Sequence, residues 1–317
     1  MKEQSMTFEA SLKRLDEIVS RMERGDVPLA KPFPTSGPDH PQPMRKIAIQ
    51  GIRGSFHDIA AHQYFEGETL QLICCDTFEA LFRAMQADSS VFGLMAIENT
   101  IAGSLLHNYE LLRQSGVRII GEHKLHIEHS LLCLPEDDPA NIVEVNSHPV
   151  ALAQCRNYLA AHPAYKVVLA DDTAGAAAAI SSQHLHGHAA ICHADAARLY
   201  GLKVLDRAIE DNKHNYTRFL VLATQTADSP AATDADKASL VFALPHEEGS
   251  LSQVLSIFSF YRINLTKIQS LPIIGREWEY LFYIDVCYDA AERFRQSIQA
   301  VAPLTRELRV LGEYRGK

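Results

Sequence analysis

The chain has 317 residues, 47% of them apolar and 22% charged, and 30 Lys plus Arg against 39 Asp plus Glu leave a net charge of −9. At roughly 100–200 residues per domain, this implies two domains, or one with appendages, and ample material for a core. The acidic balance, without a basic run, excludes duplex nucleic acid as an expected partner.

No apolar run nears the ~20 residues that cross a bilayer. The polar start Met1-Lys2-Glu3-Gln4-Ser5 has no apolar stretch behind it, so no secretory signal, no membrane partner and a cytoplasmic location are expected. The six cysteines, at 74, 75, 133, 155, 192 and 287, contain no Cys-x-x-Cys pair. They read as reduced, small core hydrophobes rather than zinc or redox ligands.

In chain order, Leu12, Leu15, Val19 and Met22 recur at helical spacing, Ile18 widens the stripe, and Gly25 sits at a cap position. Residues 1–30 are therefore expected to form one appended amphipathic helix. Residues 31–43 hold five of the fourteen prolines and read as an extended linker. From residue 44 to 224, strands alternate with helices. Strands are expected at 46–50, 70–75, 92–97, 142–145, 166–170 and 189–192, and helices at 55–65, 77–87, from 149 and from 173. Such alternation predicts an α/β fold with mostly parallel sheets. Two lobes are expected, with crossovers near 121–126 and 205–211. Residues 225–236 are small and acidic, a second linker. Residues 237–317 read β-α-β-β-α-β, the ferredoxin-like order.

Four times an apolar strand runs into a polar cluster that opens a helix: Gly51 to Ser55, Glu98 to Ser104, Asn146 to Pro149, and Asp171 to Thr173. Such junctions lie at the carboxyl ends of strands, where ligands bind, and each offers helix N–H groups. Each is also what an ordinary helix cap looks like. Together, without a Walker lysine or a Gly-x-Gly-x-x-Gly, they point to a cleft for a small anion that uses no nucleotide. A fifth cluster, Thr217-Arg218-Phe219, adds a hydroxyl, a guanidinium suited to a carboxylate, and an aromatic face. The run His184-Leu185-His186-Gly187-His188 reads as a solvated loop, and no metal is expected there.

These residues carry a resemblance. Gly-Ile-Arg-Gly-Ser-Phe-His at 51–57, Ile-Glu-Asn-Thr-Ile-Ala-Gly at 97–103, Ser-His-Pro-Val-Ala-Leu-Ala-Gln-Cys at 147–155, Asp-Thr-Ala-Gly-Ala-Ala at 172–177 and Asn-Tyr-Thr-Arg-Phe at 215–219 resemble prephenate dehydratase. The unit at 237–317 resembles its ACT regulatory domain, and residues 6–30 resemble the start of the exonuclease VII small subunit. The resemblance implies a catalytic region (44–224) folded like a type II periplasmic binding protein. It would convert prephenate to phenylpyruvate, water and carbon dioxide, in phenylalanine biosynthesis, with no cofactor and no metal. Thr217 would donate the proton and Arg218 would anchor a carboxylate. Ser55, Asn99, Thr100, Ser147, Gln154, Thr173 and Phe219 would line the cleft.

Phenylalanine would act as effector at Gly249, Ser250, Leu251, Asn264, Leu265, Gln269 and Ser270. Here Gln269-Ser270-Leu271-Pro272 replaces the family's Glu-Ser-Arg-Pro. Paired ACT units would make a homodimer or homotetramer. Arogenate in place of prephenate, or a non-catalytic anion or amino-acid sensor, remain the alternatives.

Overall fold

The computed structural model describes residues 44–225, 234–273 and 279–316. The expected helix 1–30, the linker 31–43 and residues 226–233 of the second linker lie outside these residues. No described helix is long and apolar enough to cross a membrane.

The chain opens with β1 (Arg45–Gln50), α1 (Phe56–Tyr64), β2 (Leu70–Cys75), α2 (Phe78–Ala87) and β3 (Phe92–Asn99). Then come β4 (Gly103–Ser104), α3 (Leu106–Ser115) and β5 (Arg118–His126). Ser55 and Thr77 each accept an N–H of the helix they precede, which fixes the two helix starts. Strand β3 is buried from Phe92 to Ile97, as expected of a central strand covered on both faces.

The next elements are β6 (Ser130–Cys133), β7 (Glu144–Ser147), α4 (Pro149–Gln154), α5 (Arg156–Ala161) and β8 (Lys166–Leu169). They are followed by α6 (Thr173–Gln183), β9 (His188–Cys192), α7 (Asp195–Tyr200), β10 (Lys203–Asp206) and β11 (Tyr216–Ala223). The last unit is β12 (Lys237–Leu244), α8 (Ser250–Phe260), β13 (Asn264–Pro272), β14 (Tyr280–Cys287), α9 (Ala291–Val301) and β15 (Arg306–Tyr314).

Three sheets result. The first runs β2-β1-β3-β11-β5 with β4 attached to β3, the second β10-β6-β9-β7-β8, and the third β13-β14-β12-β15. The expectation of mostly parallel sheets is corrected. Only β2-β1-β3 and β9-β7-β8 are parallel, and β11 enters the first sheet antiparallel to both of its neighbours. The reason is connectivity: β11 follows the whole second sheet and returns from it, so it need not obey the crossover rule for consecutive parallel strands. The segment 121–126, expected as a crossover, is the second half of β5, and the chain passes to the second sheet after His126.

The third sheet lies on one face of the first. Met95, Ile97, Leu220 and Leu222 share one buried cluster with Val241, Ala243, Leu281 and Leu311, while α1 covers the opposite face. The approach is tight at Gly312, where an added Cβ would stand 2.1 Å from the Ile119 carbonyl oxygen. Only glycine lets β15 come so near to β5.

Candidate active site

The carboxyl ends of β1 and β3, the starts of α1, α4 and α6, and the first residues of β11 surround a cavity of about 480 Å³ between the first and second sheets. Gly51 lets Asp172 and Ser55 approach at the rim. Its φ of +95° favours glycine, and a Cβ there would lie 3.2 Å from the Asp172 carboxylate and 3.3 Å from Ser55.

Of the residues expected in the cleft, Ser55, Asn99, Gln154, Thr173, Thr217 and Phe219 line it. The antiparallel register places Thr217 opposite Asn99. The Asn99 side-chain amide donates to the Thr217 hydroxyl at 3.0 Å and to the Asn215 side-chain oxygen (Oδ1) at 2.8 Å. Asn215, fully buried, donates to Gln154 at 2.9 Å, and the same Gln154 oxygen meets His129 Nε2 at 2.9 Å. Asn99 cannot flip, because its oxygen already accepts the N–H groups of Ile101 and Ala102 at 2.9 and 2.8 Å. An amide N–H can only donate, so the bond occupies a lone pair of the Thr217 oxygen and leaves its O–H free to donate into the cleft.

Three expected residues do not line the cavity. Thr100 is exposed, and its hydroxyl is tied to the main chain, donating to His214 O and accepting from Tyr216 N. The Ser147 hydroxyl is wholly buried and donates to Ile191 O at 2.5 Å. Both hydroxyls are engaged by backbone of neighbouring segments, Ser147 inside the second sheet's core and Thr100 at the surface.

Arg218 is the larger correction. Successive side chains of a strand face opposite ways, so Thr217 and Phe219 point to the cleft and Arg218 to the third sheet. There Nε donates to Glu122 at 2.6 Å, Nη1 to Asp285, and Nη2 to the Tyr314 hydroxyl at 3.1 Å. Burial alone would lower its pKa, but Asp285, Tyr314 and Glu122 more than reverse this and hold it above the ordinary arginine value. The guanidinium is therefore committed to protein partners. No lysine or arginine lines the cleft among the described residues, whereas Asp171 and Asp172 do.

Residue-by-residue reading of the sequence missed His57 and His129 as cleft residues. His57 packs edge-on against Phe219, with ring centroids 4.9 Å apart, and its Nε2 accepts the Ala96 N–H at 3.3 Å. Desolvation lowers its pKa to about 3 although one edge still borders the cavity, so it is neutral. His129 is also pushed down, chiefly by burial. With Nε2–H donated to Gln154, its buried Nδ1 is an acceptor without a partner among the described residues. Helical position marks His57, in the first turn of α1; nothing marks His129, in the short link between two strands.

The seven effector candidates lie apart from the cleft. Gly249, in the left-handed region at φ +80°, caps the start of α8, which begins at Ser250 and Leu251. Asn264, Leu265, Gln269 and Ser270 lie on β13, an edge strand. Glu136, His184 and His186 each offer an atom within 4.8 Å of the others. All are exposed, and the histidines are already paired, His184 with Glu136 and His186 with Asp137.

Comparison with known proteins identifies the family. The prephenate dehydratase family profile matches residues 47–227, and that of the exonuclease VII small subunit matches residues 8–33. A chloroplastic arogenate dehydratase/prephenate dehydratase of Arabidopsis thaliana is 38% identical, over 86% of this chain and 70% of the relative. Prephenate dehydratase from Arthrobacter aurescens, solved in complex with L-Phe, superposes with a TM-score of 0.74 at 28% identity, over 85% of this chain and 89% of that one. GqqA, described as a quorum quenching acylase, gives 0.77 at 29% identity, over 86% and 98%. A profile that spans more than half of the chain, and a curated relative of this identity and extent, place it in one family: the chain belongs to the prephenate dehydratases.

Proposed function

We propose that the chain converts prephenate to phenylpyruvate, water and carbon dioxide, in the cleft between two lobes, 44–126 with 216–224 and 127–215, that resemble a type II periplasmic binding protein. One observation carries the reading: the Asn99 amide holds the Thr217 oxygen so that its O–H is presented to the cavity. In the reaction the ring carbon–carboxylate bond breaks, its electron pair enters the ring, and the ring carbon–oxygen bond breaks at the far side. The departing oxygen takes up one proton, supplied in net from solvent, to leave as water.

Thr217 acts on that oxygen. Its hydroxyl is a weak acid, so it donates a hydrogen bond that strengthens as the oxygen gains charge. A positioned donor or acid contributes about 10²–10⁴-fold, and the rest of a ~10⁶-fold acceleration must come from orientation. Orientation is assigned to the helix starts. Apart from Asp58 N, capped by Ser55, and Gly175 N, capped by Asp172, the first-turn N–H groups of α1 and α6 have no intrahelical acceptor and face anions with a positive dipole end. Thr173 and Ser55 stand at those starts. This assignment replaces Arg218 as carboxylate anchor.

The lack of a cation among the lining residues supports the decarboxylation. A lysine or arginine at the ring carboxylate would stabilise the charge that must vanish, and Phe219 with neutral His57 beside it does not. Arogenate differs from prephenate by an amino group in place of the keto oxygen, and the relatives' names include both, so the assay compares the two.

Residues 237–317 are proposed to be an ACT domain that binds phenylalanine at Gly249–Leu251 and at Asn264 and Leu265, with Gln269 and Ser270 as further contacts, in a homodimer or homotetramer of a cytoplasmic enzyme. The β-α-β-β-α-β order and the L-Phe complex of the Arthrobacter relative support this. The test is direct: the purified chain is incubated with prephenate or arogenate, with and without EDTA, and the keto acid or amino acid product is measured. Phenylpyruvate formed equally with EDTA is expected. No product from either substrate overturns the reading.

A further inference from the structure

On the face of the first sheet away from the cleft, Lys267 of β13 reaches across from the third sheet. Its ammonium forms an ion pair with Glu98 and donates to the Ser104 hydroxyl at 3.0 Å. Glu98 and Ser104 are register partners in the β3–β4 hairpin, with Asn99 opposite Gly103 as the next pair. Lys267 thus clamps the Glu98–Ser104 pair, the neighbour of the Asn99–Gly103 pair that borders the turn, and Asn99 is the residue that orients the Thr217 hydroxyl.

The clamp belongs to a larger network. Glu98 also lies 3.5 Å from Arg218, which pairs with Glu122 and Asp285, and Lys237 pairs with Glu122 at 2.8 Å. Arg218, Lys237 and Lys267 balance Glu98, Glu122 and Asp285. A charge-neutral, largely buried network of this kind fixes geometry more than it adds stability.

We propose that Lys267 is a positioning residue for the dehydration: through Glu98 and Ser104 it sets the hairpin, the hairpin sets Asn99, and Asn99 sets Thr217. The proposal rests on Thr217 as the donor in the cleft. It gives the third sheet a direct hold on turnover through one side chain, without any contact with substrate.

Steady-state kinetics of the full chain test it. Misplacing a reacting group by about 1 Å costs on the order of 10²-fold, so Lys267→Met should lower kcat about 10- to 100-fold while KM changes less than about threefold. Lys267→Arg should restore most of the loss, and Lys267→Met, whose ion pair is more exposed than that of Arg218, should lower the unfolding midpoint by less than Arg218→Met does. In a Thr217→Ala background Lys267→Met should cost nothing further, because the group it positions is gone. Should Lys267→Met not fold, Glu98→Gln carries the same test. An unchanged kcat in a folded variant, or a loss that multiplies fully with Thr217→Ala, overturns the clamp alone. A parent chain that makes no product overturns the functional reading and the clamp with it.

Discussion

The Asn99 amide nitrogen stands 3.0 Å from the Thr217 hydroxyl oxygen, with the Asn99 oxygen fixed by two backbone N–H groups, and this pairing decides which way the threonine proton can point. Reversing its polarity should therefore cost as much as removing the threonine hydroxyl. In Asn99→Asp, the carboxylate would accept the Thr217 proton and turn it from the cleft. We expect kcat to fall about 10²- to 10⁴-fold, the range of a positioned acid. Thr217→Ala should fall as far, with KM moving much less, and Thr217→Ser should retain most activity. Phenylpyruvate formation under saturating substrate checks all three.

Arg218 makes the opposite kind of prediction. Removing one partner of a buried ion pair costs about 3–5 kcal/mol, because the carboxylates left behind are uncompensated. Arg218→Met should show that loss in urea unfolding, while KM of the folded protein stays within about threefold of the parent value. A large rise in KM with unchanged stability would return Arg218 to the cleft as a carboxylate anchor.

Gly312 tests the docking of the third sheet. Gly312→Ala places a methyl 2.1 Å from the Ile119 carbonyl oxygen, where backbone faces backbone and neither can swing aside. Overpacking of this kind typically costs 1–3 kcal/mol, and we expect about that loss by thermal or urea unfolding. Gly116→Ala, whose Cβ would meet nothing within 4 Å but whose φ is +70°, separates backbone strain from collision.

His57 should make the fold acid-sensitive. Its pKa is about 3 in the folded chain and near 6.5 when unfolded, so below about pH 6.5 the unfolded chain binds a proton that the folded one refuses. Its contribution is intact above pH 6.5 and is lost as pH falls toward 3, with a slope of up to about 1.4 kcal/mol per pH unit. His129, lowered as well, acts in the same direction. His57→Gln can still accept the Ala96 N–H and should flatten part of the slope. Urea midpoints between pH 4 and 7.5 measure it.

Much of this molecule is written in local pattern. Strands 70–75 and 166–169, and the helix starts at Ser55, Thr77 and Asp172, follow from apolar runs and capping residues, whose effects reach only a few positions along the chain. The strands at 118–126 and 130–133 carry no such local pattern. Their polar residues, such as Glu122 and Ser130, are buried by partners distant in sequence, which blurs the apolar pattern. For Arg218, alternation along β11 already sets it on the face opposite Thr217 and Phe219. What lies behind that face, Asp285 and Tyr314, is far along the chain.

From sequence alone come the family, the kinds of secondary structure, the β-α-β-β-α-β tail and the Thr217 hydroxyl, because each is carried by residues adjacent in the chain. Folding in three dimensions decided what faces what. It brought Asn99 to Thr217 across more than a hundred residues, withdrew the guanidinium from the cleft, and tied Glu98 to Lys267. Those pairings depend on strand order and sheet stacking, which no stretch of neighbouring residues specifies.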